Sequence, residues 1–446
     1  MIADRFPSMA TTRAAMPRSR FIEHTHADEA DPWLFTPAVV GFYFSFRAAI
    51  VLIAVRVFLL EPQTGAAAVL AADFALLLFV AFQAMGPARN SLRWMLRQLS
   101  FRWVISYLIF AGCSLGWSGT VSKSASFLYW CGIVADVAIV ALMLRTGPVE
   151  GVAHSLMRGF IWSTCVLALI AWIMPTQPDL RLGDLEFFNT NQIGNLCAFA
   201  ILLAQYLMCR KDGKWGIPIL FLTVTLIRSL SKTTLVAFAL SEGVLLIRDR
   251  SMSRRTKLLI VAAAALIALS FWGLYESYYD VYTTASNQAE TLTGRTAIWA
   301  YALNAAGAKP WLGNGFDALW KVMPPFGADQ FEARHAENEL LQQFFAYGVA
   351  GVVMLCGIYG SVYWGTRRLP HRPTKIIFFT ILLFIVVRGM AEAEPFDLLL
   401  PLWAITLLSS IVATQLDANR EGTAVGRVQD PGVTKFASRP ARRASL

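Results

Sequence analysis

Apolar and polar residues follow one another along this chain in long blocks, not residue by residue. From about residue 35 onward, runs rich in Leu, Val, Ile, Ala and Phe recur, most of them near the ~20 residues that carry a helix across a bilayer. Read this way, spans fall at 35–60, 65–82, 101–117, 127–144, 156–174, 193–208, 215–227, 233–247, 258–275, 341–364, 376–388 and 396–416. The pair at 215–227 and 233–247 is short and parted only by a brief polar stretch around Arg228 and Lys232. A transmembrane barrel would alternate polar and apolar residues, and these runs do not. The pattern predicts an all-α, polytopic integral membrane protein with about twelve transmembrane helices and one large external loop.

Composition agrees. The chain is 56% hydrophobic and 15% charged, with a mean hydropathy of +0.51, whereas soluble proteins carry about 25% charged residues. The net charge of +10 does not point to nucleic acid, because no basic-aromatic recognition module occurs. The basic residues gather in every second loop instead, around Arg89 to Arg102, Arg145 to Arg158, Arg210 to Lys214, Arg248 to Lys257 and Arg367 to Lys375. The loops between are neutral or acidic, with Glu61, then Asp179, Asp184 and Glu186, then Glu392 and Glu394. By the positive-inside rule both termini are cytoplasmic and residues 276–340 form the external loop. Residues 1–32 and 417–446 are polar and unpatterned, and read as disordered cytoplasmic tails flanking a membrane domain at 33–416. Six scattered cysteines without a Cys-x-x-Cys pair read as small buried hydrophobes. No phosphate-binding loop or glycine-rich dinucleotide turn is present. Arg47, Arg56, Asp73, Asp136, Glu242, Arg388 and Asp397 fall inside spans, where ionisable groups are rare and costly. Their pattern alone assigns them no role.

The interval 290–351 stands apart as polar within this apolar frame. Thr293 reads as the cap of a helix running to about Ala308, with Ile298, Trp299 and Leu303 available to lie on the membrane surface. Arg295 at that helix start, beside free backbone N–H groups, suits an anion such as phosphate, or else snorkels to headgroups. Pro310, Gly313 and Gly315 form a turn that serves either a ligand or the placement of Trp311 and Phe316. Arg334, His335, Glu337 and Asn338 precede the next span. There a partly desolvated Glu or His can act as a general base, and the same residues can simply cap a helix.

These motifs in this order resemble the O-antigen ligase/polymerase superfamily of the Wzy and WaaL type, nearest its ExoQ-like exopolysaccharide polymerase branch. The carriers are Gly294-Arg295 with Trp299, Pro310 with Gly313 and Gly315, Asn338 with Leu341, and Gly348 with Gly351. Three more stretches add to them: Phe188-Asn189-Thr190-Asn191, Ser231-Lys232-Thr233, and Arg388 through Glu394. The resemblance implies a GT-C-like membrane glycosyltransferase, working on the periplasmic face of the bacterial inner membrane. It implies polymerisation of undecaprenyl diphosphate-linked repeat units into exopolysaccharide or O-antigen by metal-independent, inverting transfer. The partners implied are a polyprenyl diphosphate-linked glycan donor, a glycan acceptor, the lipid bilayer and a chain-length regulator. No cofactor and no metal are expected. Arg295 would bind the donor, with Lys232, Arg228, Arg334, Trp299, Gly313, Gly315 and Arg388 around it. The superfamily's base stands just before Asn338, where this chain has Glu337 and not His. On a helix, His335 two residues earlier would face elsewhere. Glu337 is therefore expected to be the base, with His335 second and Asn338 orienting. A ligase that moves the glycan to lipid A core or protein shares the motifs. A transporter or flippase would need a polar path at the midplane, and the polarity here is gathered in the external loop.

Overall fold

The structure is a computed structural model. It describes residues 35–177, 180–184, 187–249, 253–277, 292–325 and 332–428, with backbone alone at 292–294 and 422–428. The expected tail at 1–32, residues Asp179, Glu186 and Arg250, and the side chain of Thr293 lie outside the described residues.

Every described element is a helix. In chain order they are α1 (Phe35–Arg56), α2 (Pro62–Gln83), α3 (Leu92–Arg97), α4 (Leu99–Ser114), α5 (Lys123–Thr146), α6 (Val149–Ile173), α7 (Thr190–Cys209) and α8 (Gly216–Ser229). There follow α9 (Lys232–Arg248), α10 (Arg254–Ser270), α11 (Leu292–Ala308), α12 (Leu319–Val322), α13 (Glu339–Arg367), α14 (Arg372–Gly389) and α15 (Leu402–Val428). Each expected span contains one of these helices. Among the described residues six are long and apolar enough to cross a membrane by themselves: α1, α2, α5, α6, α7 and α13. The helix α8 has 14 residues, about 21 Å at 1.5 Å per residue, short of the ~30 Å hydrocarbon core. The last helix runs to Val428, past the end expected at Leu416.

Polar residues set the helix starts. Ser91, Ser122, Ser253 and His371 each accept an amide from their own first turn. Asn189 and Gln192 form a full capping box at α7. The core is a continuous apolar cluster in which α7 is the most enclosed span. Gly41 and Gly159 let α1 and α6 touch backbone to backbone, as small residues do between membrane helices.

Loop contacts sort into two ends. At one, the Arg89 and Asn90 amides donate to Arg145 O, Arg210 meets Glu150 at 2.8 Å, Arg158 and His154 meet Asp212, and Trp94 donates to Asp417. At the other, Arg56 meets Asp184 at 2.8 Å, Gly119 N donates to Asn314 O, and Thr190 donates to Ser229 O. Each contact joins segments to which the charge pattern gives the same side.

Candidate active site

A break in α13 builds the floor of the site. Gly348 has φ 63° and ψ −153°, which interrupts the helix and releases hydrogen-bonding groups on both sides. The turn after α11 takes them. Val349 N donates to Pro310 O at 2.7 Å, while Asn314 N and Gly315 N donate to Phe345 O (2.9 Å) and Ala346 O (2.8 Å). A Cβ at Gly313 would lie 2.5 Å from the Ala346 carbonyl, and one at Gly348 would lie 2.5 Å from Pro310 O. The two glycine motifs are thus halves of one backbone joint. Gly313 and Gly315 are buried in it, and both have positive φ. Asp317 ties the same turn to the first turn of α5 through Ser126 Oγ at 2.6 Å and to the stretch before it through Thr120 Oγ1 at 3.2 Å.

On this floor the expected polar residues converge. Asn338 caps α13 by accepting the Leu341 amide at 2.9 Å, and its Nδ2 donates to Met390 O at 2.9 Å. Arg295 Nη1 donates to Ala391 O at 2.8 Å and lies 3.4 Å from Thr233 Oγ1. Its Nη2 is 3.3 Å from Glu337 Oε2. Trp299 Nε1 donates to Glu337 O at 3.3 Å. The helix α11, the start of α13 and the segment after α14 are therefore pinned together by Arg295, Trp299 and Asn338.

His335 and Glu337 do not lie on a helix, so the helical spacing that would set them apart does not apply. The helix starts only at Glu339, and Glu337 adopts φ 51°, a left-handed backbone rare outside glycine. That turn brings the two side chains together, with His335 Nδ1 at 3.6 Å from Glu337 Oε1. His335 Nδ1 also accepts the Glu337 amide at 3.3 Å. Glu337 is left as the carboxylate facing the arginine, its side chain 19% exposed. Burial pushes its pKa up and Glu392 adds to the rise, while His335, Arg295 and Arg388 oppose it. The surface-lying face of α11 is corrected as well. Ile298 packs into a small core with Ala302, Ala306 and Phe345, and Leu303 remains exposed.

Arg388 is fully buried at the end of α14, with Nη2 4.0 Å from Glu392 Oε2. Its Nε and Nη1 find no protein acceptor. His335, Glu337 and Glu392 offer ligand atoms within 4.8 Å of one another. That spacing suits a cation, but Arg295 and Arg388 already bring two positive charges to the same carboxylates, so a metal ion fits the set poorly. The remaining expected residues lie around this centre. Lys232 is exposed at the start of α9, next to Thr233. Arg228 donates to Leu180 O at 2.8 Å. Arg334 is exposed and stacks over Trp320 at 5.2 Å. Beside Trp299 and Asn338 opens an apolar groove of about 380 Å³ lined by Leu303, Leu340, Leu341 and Phe344.

Sequence reasoning passed over the roles of Glu392 and Glu339. Glu339 Oε1 accepts from Tyr359 Oη at 2.7 Å and Leu399 N at 2.9 Å, clamping the segment after α14 to α13. Its place as the first residue of a helix was the available signal.

Residues 217–356 match the Wzy_C family, described as O-antigen ligase. The resemblance to the O-antigen ligase/polymerase superfamily holds. The matched stretch runs from α8 into α13 and includes Arg295, His335, Glu337 and Asn338. The chain is also similar to the exopolysaccharide production protein ExoQ of Rhizobium meliloti, 23% identical over 322 residues, which are 66% of this chain and 73% of that protein. It is similar to the O-antigen ligase of Pseudomonas aeruginosa at 27% identity over 314 residues, 66% of this chain and 72% of that one. The Asn-rich stretch at 188–191 and the Ser-Lys-Thr step at 231–233 meet in space, with Ser231 Oγ 2.8 Å from Asn191 Oδ1.

Proposed function

We propose that this protein is a membrane glycosyltransferase that polymerises polyprenyl diphosphate-linked glycan repeat units on the periplasmic face of the inner membrane. The observation that carries the reading is the pairing of Arg295 with Glu337 at 3.3 Å beside an apolar groove. One group can meet a leaving diphosphate, the other can take a proton, and the groove suits a polyprenyl chain. In the reaction the acceptor hydroxyl oxygen bonds to the anomeric carbon of the donor. The carbon–oxygen bond to the diphosphate breaks, and its electron pair leaves with the polyprenyl diphosphate. The hydroxyl proton passes to Glu337. Arg295 and the buried Arg388 meet the departing charge, so no metal is required. When the diphosphate takes Arg295, Glu337 loses a counter-charge and becomes more basic at the moment the donor is in place.

In this reading the catalytic domain spans 33–416 with twelve crossings, the external loop covers 276–340, and both termini are cytoplasmic. The loop contacts described above support that sidedness, since each joins segments of one side. The exopolysaccharide role of the first relative favours polymerisation. The family description and the second relative favour ligation to an acceptor such as lipid A core, the second reading.

The test is a complementation assay with Glu337→Gln and Arg295→Ala. Loss of a general base lowers turnover by about 10²–10⁴-fold, so long polymer should vanish and single repeat units on lipid should accumulate. Long polymer persisting in both variants would end the proposal. Polymer of normal length left unattached to its final anchor would establish the ligase.

A further inference from the structure

Three ionisable side chains among the helices, two of them buried, take no part in the reaction above. Arg47, Asp73 and Asp136 each stand near the middle of a long apolar helix: α1, α2 and α5. The three helices bring them together. Arg47 Nη1 is 2.5 Å from Asp136 Oδ2 and 3.9 Å from Asp73 Oδ1. Both carboxyl groups are buried, at 3% exposure for Asp73 and 2% for Asp136. The helix α5 passes close against Asp73 at Gly132, where a Cβ would stand 3.5 Å from Asp73 Oδ2. Tyr43 on α1 completes the group, its hydroxyl 2.7 Å from Asp73 Oδ1 and 2.9 Å from the Val69 carbonyl oxygen.

Two observations point to an added proton on this cluster. The first is charge. One guanidinium faces two carboxyl groups within 3.9 Å, so with both ionised these three groups would hold a net negative charge in the middle of the spans, where an uncompensated charge is costly. The second is hydrogen bonding. A phenol has one proton, and a carbonyl oxygen only accepts. Tyr43 lies within hydrogen-bond distance of two acceptors and can satisfy only one with a linear bond. If it donates to Val69 O, the 2.7 Å contact to Asp73 needs a proton from Asp73. A single proton on Asp73 settles both counts.

We propose that Asp73 holds a proton on Oδ1 and donates it to Tyr43 Oη, while Asp136 stays ionised against Arg47. The junction of α1, α2 and α5 is then a proton-binding site within the membrane. Its chain of donors runs from Asp73 to Tyr43 to the Val69 carbonyl. Asp136 fixes which carboxyl group is neutral, because it is the nearer one to Arg47.

The experiment is infrared difference spectroscopy of the full chain in lipid nanodiscs at neutral pH. The difference between wild type and Asp73→Asn should contain one carboxylic-acid carbonyl band that shifts in D₂O. Asn is a neutral isostere that can still donate to Tyr43, so Asp73→Asn should keep the wild-type thermal midpoint. In Asp136→Asn the guanidinium needs Asp73 as its anion. The band should be lost there too, although Asp73 is still present. Absence of the band from the Asp73→Asn difference overturns the proposal, as does its persistence in Asp136→Asn. A sodium-dependent change in its place would also overturn it, in favour of a metal cation. If Asp136→Asn fails to fold, the Asp73→Asn spectrum decides alone.

Discussion

In the proposed reaction Glu337 is the single residue that carries most of the chemistry, and its pH response has a definite sign. It must be ionised to accept a proton, so activity falls as pH falls through its pKa. Burial and Glu392 raise that pKa above the ordinary 4.5, against the pull of His335, Arg295 and Arg388. The acid limb of the pH–rate profile should therefore lie above the usual carboxylate range. Glu392→Gln removes a negative neighbour and should move the limb to lower pH. In the proposed reaction the donor occupies Arg295, so the limb in kcat should stand above the limb in kcat/KM, which reports the free enzyme. Identical limbs in wild type and Glu392→Gln would show that the titrating group lies elsewhere. The residue type at this position was legible through the resemblance, which puts the base just before Asn338, where this chain has Glu337. Its partnership with His335 was not. It depends on the left-handed backbone at Glu337, and a two-residue spacing read on helical geometry sets the side chains apart. Glu392 escaped for a similar reason. It lies 55 positions beyond Glu337 in sequence and reaches the site only because Asn338 and Arg295 bind the carbonyls of Met390 and Ala391.

Among elements, the joint between the turn at 310–315 and the break in α13 decides whether the site is held. Pro310, Gly313 and Gly315 were legible as a turn, and Gly348 and Gly351 through the resemblance alone, but their pairing was not. Nothing in local pattern says that a helix will open at Gly348 to receive another segment's backbone. Gly313→Ala tests the joint. Its φ of +65° disfavours any side chain, and the added Cβ would meet Ala346 C and O at 2.5 Å. Strain of this kind costs about 1–3 kcal/mol, and the steric clash adds to it, so the thermal midpoint should drop and activity should fall with it. Gly307→Ala in α11 is the control. No atom lies within 4 Å of its added Cβ, and Ala in a helix interior is favoured over Gly by about 0.5–1 kcal/mol. Gly307→Ala should match or exceed the wild-type midpoint. Equal midpoints for the two variants would mean that the joint contributes nothing to holding α11 on α13.

For the whole molecule, charge alternation was the most informative feature of the sequence, because it predicts which loops meet. Contacts such as Arg145 with Arg89, and Asp212 with Arg158, join segments that the pattern puts inside, and Arg56 with Asp184 joins two that it puts outside. Length was less informative. The helices α8 and α9 have 14 and 17 residues, and hydropathy alone does not say whether such a pair crosses the bilayer or turns back within it. The turn between them favours crossing. Leu230 takes φ 60°, and Ser229 and Ser231 bond to Thr190 and Asn191 at the start of α7, which the pattern places outside. A helix of about 21 Å ends short of a full bilayer, so this turn should sit at the bottom of a water-filled recess open to the outside. Lys232, exposed at its edge, is the residue to probe. In a chain freed of its six native cysteines, Lys232→Cys should react with a membrane-impermeant thiol reagent applied from the periplasmic side. Lys214→Cys, on the other side of α8, should react only after the membrane is opened. Labelling of both from the same side would reduce α8 and α9 to a re-entrant pair, lower the proposed twelve crossings to ten, and take Lys232 away from the side proposed for the donor.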